Sequence, residues 1–554
     1  SRGLGDVYKR QAKNLLDANR MEASARFEGD FRDLAFLKAL LPDTALRRRV
    51  AIPALIRLRG SAGADRGTFS TASTLSADGG ELSVKGRFNP REQSYDAAIR
   101  ADSFPLNSFL PADSLGIVDL TLQARGTGFD PLLPRTRTSL RAQIDRAEFG
   151  GRDFGGIELD AELDSQRLSG RISDRDEALR LLLSVSGTLT EREQRIGLSG
   201  SVFGFDLAAL GVSPEPIGGS FALDASASAA GKGAYAARIA LDSIEIRNKH
   251  RTDRIRPTSV SLHTDSAATR AEAASGDLSL TFSTPQSADS LIAALTRSAR
   301  ALAGQIDAQS IDMEQLKPAL PDFALRVSAG PDNILNSLLK SRKIAFDALN
   351  AEGANCDSLP VSIRLRTEGL AYGNVVLDTV TADIRQNGKR LEYALGLANA
   401  PGNLDNIARA GLYGHLVRNT GQANLYQRNR AGREGFRFGL DVTWTDSLVR
   451  ASVTPPDPLF GFEPWTVNRG NYLAYRFDKR VEADLDMTHG DQRFAIRTTP
   501  GGGDDDDIRL DIAGLNVGPA MGLFPSAPPV DGVLGANLTL NLAADSLSLR
   551  GGVS

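Results

Sequence analysis

The chain has 554 residues, and its 65 basic side chains against 68 acidic ones leave a formal net charge of −3, with no concentrated basic face for nucleic acid. A single cysteine, Cys356, excludes an intrachain disulfide, and no apolar run approaches the roughly 18 residues that cross a bilayer as a helix. Aromatic residues are only 6 %, while 54 glycines and 25 prolines are spread over the whole length, which predicts a thin, extended core rather than several globular domains.

Residues 1–20 are set aside as a non-native or disordered leader. Ser1–Gln11 has the look of a translated assembly junction, and the chain stops in mid-pattern at Ser554, so an internal portion of a longer protein is expected. Residues 21–554 then read as one continuous repeat region. Its marker is a short apolar turn beginning near 34, 104, 205, 311 and 515, at intervals close to one hundred residues with one interval doubled. The clearest copies are Phe104–Pro111, Phe205–Gly211 and Ile311–Pro318, with looser ones at Leu34–Pro42 and Leu515–Met521.

From Leu75 onward, alternation of apolar and polar residues marks strands with one apolar face. Good examples in chain order are Ile157, Leu159, Ala161 and Leu163, then Phe221 and Leu223, then Leu391, Tyr393, Leu395 and Leu397. Later come Phe436, Phe438, Leu440, Val442 and Trp444, then Val481, Ala483, Leu485 and Met487, then Leu538 and Leu540. Asp78-Gly79-Gly80, Asn387-Gly388-Lys389 and His489-Gly490-Asp491 supply turn chemistry between them. A one-sided antiparallel meander follows. Helical spacing is confined to a short stretch near 31–41, to 288–303 with Leu291, Ile292, Leu295, Ala299 and Leu302 on one stripe, and to 331–349 with Ile334, Leu335, Leu338, Leu339 and Phe346. These helices are expected to cap the sheet.

Chemistry-bearing patterns are missing. His250, His263, His415 and His489 have no metal-ligand spacing, and Cys356 has no helper pattern for a nucleophile. The run Gly501–Asp507 lacks the alternation that would place oxygens around a calcium ion, and Gly126-Thr127-Gly128 is too short for a phosphate loop. No catalytic, cofactor-binding or metal residue is therefore expected, and the chain reads as non-enzymatic.

The repeated apolar-x-Leu-x-x-Leu-Pro turn followed by glycine and an alternating strand resembles the AsmA-like proteins and, among them, the TamB family of translocation and assembly module subunits. The most specific stretch is Asp457–Tyr472, whose Trp465-Thr466-Val467-Asn468 step precedes Asn471-Tyr472 and an alternating strand, as in Bacteroidota versions. The resemblance spans roughly 21–554 and implies the central repeat region of a periplasmic, inner-membrane-anchored envelope bridge. It implies phospholipid acyl chains or nascent outer-membrane strands as cargo, and an outer-membrane barrel protein of the BamA/TamA type as partner. It also implies a fold: an all-β, elongated, repetitive antiparallel sheet curled into an open apolar trough, a β-taco, with a few short capping helices.

A one-sided sheet with few aromatics has to hide its apolar face, and curling is one solution. About 30 strands at about 4.8 Å each make a trough on the order of 100 Å. Its lining is expected to include Phe221, Leu223, Phe436, Phe438, Leu440, Val442, Val481, Leu485, Leu538 and Leu540, with Asp224, Asp441 and Asp484 on the other face. Two other readings stay open: a secreted or cell-surface β-repeat adhesin with a closed core, and a β-helical carbohydrate enzyme with converging carboxylates.

Overall fold

A computed structural model describes residues 11–13, 21–32, 50–53, 55–111, 115–231, 233–249, 251–340, 342–356, 358–373, 375–399, 408–478, 480–499, 507–518, 531–543 and 546–554. It is predominantly β, an antiparallel open sheet that is not closed into a barrel, with few short helices. Two compact units divide the chain, Ser1–His263 and Thr264–Ser554.

In the N-terminal unit, strands from Glu22–Phe31 to Ala234–Arg247 pair with one another in succession, each antiparallel to the last. Hairpins of few residues make this meander the cheapest connection. Between Thr68–Ala77 and Gly80–Asn89 the loop is Asp78-Gly79, with φ of 46° and 89°, the pair of positive angles that a two-residue turn matching strand twist requires.

The C-terminal unit repeats the plan from Thr269–Ser275 to Ser546–Val553. A helical insertion separates Leu278–Thr284 from Phe323–Ala329: the long helix Ala288–Asp307, the short helix Met313–Leu316 and a 3-10 turn at Lys317–Ala319. Ser287 caps the long helix by accepting from the Ser290 amide at 3.3 Å. The insertion is latched at four places along one edge of the sheet, beside every second hairpin. Lys317 Nζ donates to the Leu359 carbonyl at 3.0 Å, the Met313 amide to that of Lys389 at 3.4 Å, the Ile311 amide to that of Arg418 at 2.9 Å, and the Trp444 indole to that of Gln309.

Three helical expectations meet different outcomes. The helix over 288–303 is present and slightly longer, but it is turned: Leu291, Ala294, Ser298, Ala301 and Gln305 face the protein, while Ile292, Leu295, Ala299 and Leu302 are exposed. Polar bonds set that rotation, Ser298 Oγ to the Ala319 carbonyl at 2.6 Å and Gln305 Nε2 to the Asp312 carbonyl at 3.0 Å. The helix over 331–349 is only Ile334–Lys340, because Ile344–Ala345 and Ala348–Cys356 are strands. Asn336, fully buried, explains the stop, since its side chain accepts from the Phe346 amide at 3.3 Å and donates to the Phe346 carbonyl at 2.8 Å, folding the chain back. The stretch 31–41 lies almost wholly outside the described residues.

The recurring apolar turns are not equivalent. Phe104–Pro111 ends a strand and continues as the helix Leu106–Phe109, whereas Phe205–Gly211 is a turn in which Asp206 accepts from the Ala208 amide at 2.8 Å. Ile311–Pro318 lies inside the helical insertion instead of at a strand end. Of the copies at 34 and 515, the first and the last three residues of the second lie outside the described residues. Two of the described turns build small cores. Phe104 packs with Ala101, Val118, Leu106 and Phe109, and Met313 and Leu316 pack on Val361 with Leu391 beside them.

Candidate functional site: an apolar groove

Directly paired residues in an antiparallel sheet project to the same face, so register shows how far each face extends. In the C-terminal unit one unbroken apolar row runs Ala273, Leu280, Val327, Ala351, Leu365, Ala382, Leu395, Leu412, Leu425, Phe438 over ten strands. A neighbouring row, Ala271, Phe282, Leu325, Gly353, Ile363, Ile384, Tyr393, Gly414, Ala423, Leu440, Val453, crosses eleven.

The opposite face carries ion pairs across the same strands: Arg326 with Glu352 at 3.2 Å, Arg364 with Asp383 at 3.5 Å and Arg385 with Glu392 at 3.0 Å. Hydrogen bonds from Asn387 and Arg385 hold the Glu392 carboxyl below its usual range. Such exposed pairs add little stability individually, but they keep that face wetted.

Within the apolar face lies a groove of about 670 Å³. Leu370, Leu377, Val380, Ala382, Leu395, Leu397, Ala410, Leu412, Leu425, Gln427, Phe436 and Phe460 line it, from seven consecutive strands. Small residues leave the room: Ala382 sits between Leu365 and Leu395, and Ala410 between Leu397 and Gln427, so bulk is interrupted along each row. The floor is accessible. Leu395 is 44 % and Leu425 36 % exposed, values that a closed core would not leave on its inner face.

Of the ten residues expected to line a trough, Phe436 lines this groove, and its ring stacks on Phe438 at 6.0 Å. Phe438, Leu440 and Val442 lie on the same face beyond the groove. Register carries that face on through Trp444, Val449, Tyr475 and Val481, and Leu485 aligns with Ile496, Leu510 and Leu538. Leu540 is two residues from Leu538 on the same strand, whereas Asp441 and Asp484 have the opposite phase. In the N-terminal unit Leu223 belongs to a row of its own, Val84, Ile99, Leu122, Ala142, Leu159, Ile172, Leu183, Gly200, Leu223, Leu241, and Phe221 to the row beside it; Asp224 is exposed on the other face.

The groove's other lining residues were not singled out by sequence. Alternation identifies the face of Leu395 and Leu412, but nothing local says that seven particular strands leave a channel. Phe460 is held by the Asp457–Tyr472 stretch. Trp465 is buried, packs on Phe460 at 6.4 Å and donates to its carbonyl at 3.2 Å. Asn471 accepts from the Val453 amide at 2.7 Å and donates to its carbonyl at 3.2 Å, and Asn468 does the same toward Asp486 and Asp484 at 2.9 and 3.3 Å. These amides take the place of missing ladder partners beside the groove's last strand.

No group of three or more His, Cys, Asp or Glu able to hold a metal ion exists among the described residues. Among the candidate residues set aside on sequence grounds, His489 bonds the Pro464 carbonyl at 2.7 Å and meets Glu463 at 3.2 Å, while Cys356 lies 3.4 Å from Ser358 Oγ. His250 and Gly501–Asp506 lie outside the described residues. No helix among the described residues is long and apolar enough to cross a membrane. Comparison with known protein families, with curated proteins and with solved structures gives no match.

Proposed function

We propose that the chain is a lipid-conducting bridge of the TamB type, working in the periplasm of a Gram-negative envelope, with the apolar face of its sheet as the path of phospholipid acyl chains. The observation that carries this reading is the accessible groove on an apolar face that continues over many strands. Six inter-strand steps at about 4.8 Å make the groove roughly 29 Å across. A bilayer's hydrocarbon core, two acyl chains thick, is about 30 Å, so one chain needs roughly half the groove. An acyl chain can thus slide within it without losing apolar contact. Each methylene exposed to water costs about 0.8 kcal/mol, and the face removes part of that cost at every step. The sheet supplies no direction, so flux depends on a gradient or energy source elsewhere. In this reading the protein is no enzyme and needs no cofactor; an inner-membrane anchor and an outer-membrane barrel protein of the BamA/TamA type complete the path.

The test places a photoreactive amino acid at Leu412 in cells and looks for crosslinked lipid. Capture that disappears in Leu395→Glu, with folding retained, supports the conduit. Folding should survive because Leu395 is already 44 % exposed and a carboxylate there reaches water. Crosslinking only to outer-membrane polypeptide would favour protein cargo, and no crosslink of either kind would overturn the conduit reading.

A further inference from the structure

We infer that the long helix Ala288–Asp307 is a dimerisation element, which pairs antiparallel with the same helix of a second copy of this chain, whatever the groove carries. Its outward stripe is Ile292, Leu295, Ala299, Leu302 and Ile306, and the four large side chains are between 44 % and 62 % exposed. The steps along it are three, four, three and four residues, the spacing of a two-helix seam and a narrower band than a helix turns toward a sheet. The band that faces the protein is a different one. Ser298 and Gln305 fix it by donating to the Ala319 and Asp312 carbonyls, and the segment they bond rests in turn on the sheet through Met313, Leu316 and Lys317. The helix is thus the outer layer of its insertion, held so that a complete seam points away from it.

The flanks and the residue order of the stripe identify what covers it. Beside it through the middle of the helix stand Thr296, Ser298, Ala303 and Gln305, all uncharged, while Arg297 and Arg300 lie further round and are offset by Asp289 and Asp307. A helix that lies on an anionic membrane is rich in lysine and arginine, whereas this one has no net charge. Two identical uncharged faces meet without repulsion. In an antiparallel pair one register engages every seam position from Ala288 to Ile306: Ala288 meets Ile306, Ile292 meets Leu302 and Leu295 meets Ala299, each contact made twice by symmetry. Every alanine then packs on a large aliphatic side chain, so bulk is even along the seam, and the two helix dipoles oppose one another. A parallel pair would set Ala299 on Ala299 and leave a gap at its centre. The seam is about 30 Å long, at the small end of specific interfaces, so association is expected in the micromolar range.

The test is sedimentation equilibrium of the full chain over a range of about 1 to about 500 µM, which brackets the association expected of so small a seam. A monomer–dimer equilibrium with a Kd of about 10 µM is expected, and Leu295→Glu/Leu302→Glu, which places a pair of carboxylates from each copy in the seam, should weaken it at least about a hundredfold. Both residues are exposed in the single copy, so the circular dichroism of that variant should match the parent's. Register is read separately. In a Cys356→Ser background, copies carrying Leu295→Cys and copies carrying Ala299→Cys should form disulfides with each other about tenfold faster than either forms with itself. A monomer at every concentration overturns the inference, and so does a dimer that survives the two glutamates. Faster crosslinking of Leu295→Cys to itself overturns the antiparallel pairing. Vesicle binding by the monomer that the glutamates abolish assigns the stripe to a membrane instead. The crosslink and the parent's own association need no glutamate variant, so misfolding of that variant does not protect the idea.

Discussion

Two carboxylates on the sheet make opposite predictions about pH. Asp486 is held below the usual carboxylate range by a hydrogen bond from Arg493, with burial opposing and Arg497 assisting. A lowered folded value means that its stabilisation is present above the unfolded value of about 3.9 and is lost as pH falls through the folded one. Asp486→Asn should therefore cost about 1–2 kcal/mol at pH 7, and the gap to the parent should close in thermal melts taken at progressively lower pH below about 4. Asp174 goes the other way. It sits in an apolar row between Ile157 and Leu181, only 7 % exposed, and burial raises its carboxyl above the ordinary value. Its ionised form weakens the fold, so stability is highest below the unfolded value and falls as pH rises through the folded one. Asp174→Asn, which keeps an acceptor for the Asp176 amide at 2.9 Å, should match or exceed the parent at pH 7 and lose any advantage in acid. A variant less stable than the parent at pH 7 would refute this. Phase is what the sequence made legible here: the faces of Leu440, Leu485 and Asp441 follow from a period of two. An interruption such as Asp174 was not legible, since it sits on the apolar phase and is kept there by an Asx turn at the strand end.

At the scale of elements, the strands were readable and the helices less so, for a physical reason. Alternation is repeated in every strand and checked by its neighbours, whereas a helical stripe in a short segment has no partner in the sequence to confirm it. Ile334, Leu335, Leu338 and Leu339 have helical spacing, but the turn beyond Lys340 is decided by Asn336 and the Phe346 backbone, a contact that no periodicity announces. Asn336→Ala should leave both Phe346 polar groups unpaired and cost about 2 kcal/mol, seen as faster amide exchange from Ile334 through Cys356 with the distant strands unchanged. In the same way, the long helix is aligned by Ser298 and Gln305, which explains why all of its expected apolar stripe except Leu291 is exposed. Ser287→Ala should fray its first turn at a cost of about 1 kcal/mol, detectable as lost protection at Leu291 while the exchange of Leu280 and Val327 stays as in the parent.

Taken whole, each unit is a sequence of strands that bond to the strands before and after them, with insertions that bind only locally. Stability in such an array is a sum of neighbour terms, so urea unfolding should proceed in more than one step, and Leu159→Asp should accelerate exchange in Arg137–Phe149, Ile157–Asp164 and Arg167–Arg175 before any effect on the C-terminal unit. A single cooperative transition monitored by both tryptophans and amide exchange would refute that. The unbroken rows have a second consequence, which concerns growth. Because adjacent strands are antiparallel and joined by hairpins, removing or duplicating one strand would reverse the direction of everything after it, whereas removing or duplicating two preserves direction, facing and register alike. The apolar face can therefore lengthen or shorten only in increments of two strands, about 9.6 Å, and side chains away from the junction keep the surroundings they had. Such a sheet is a ruler whose graduations are hairpins, and copying or deleting the DNA for two strands changes its span with no redesign of the apolar face.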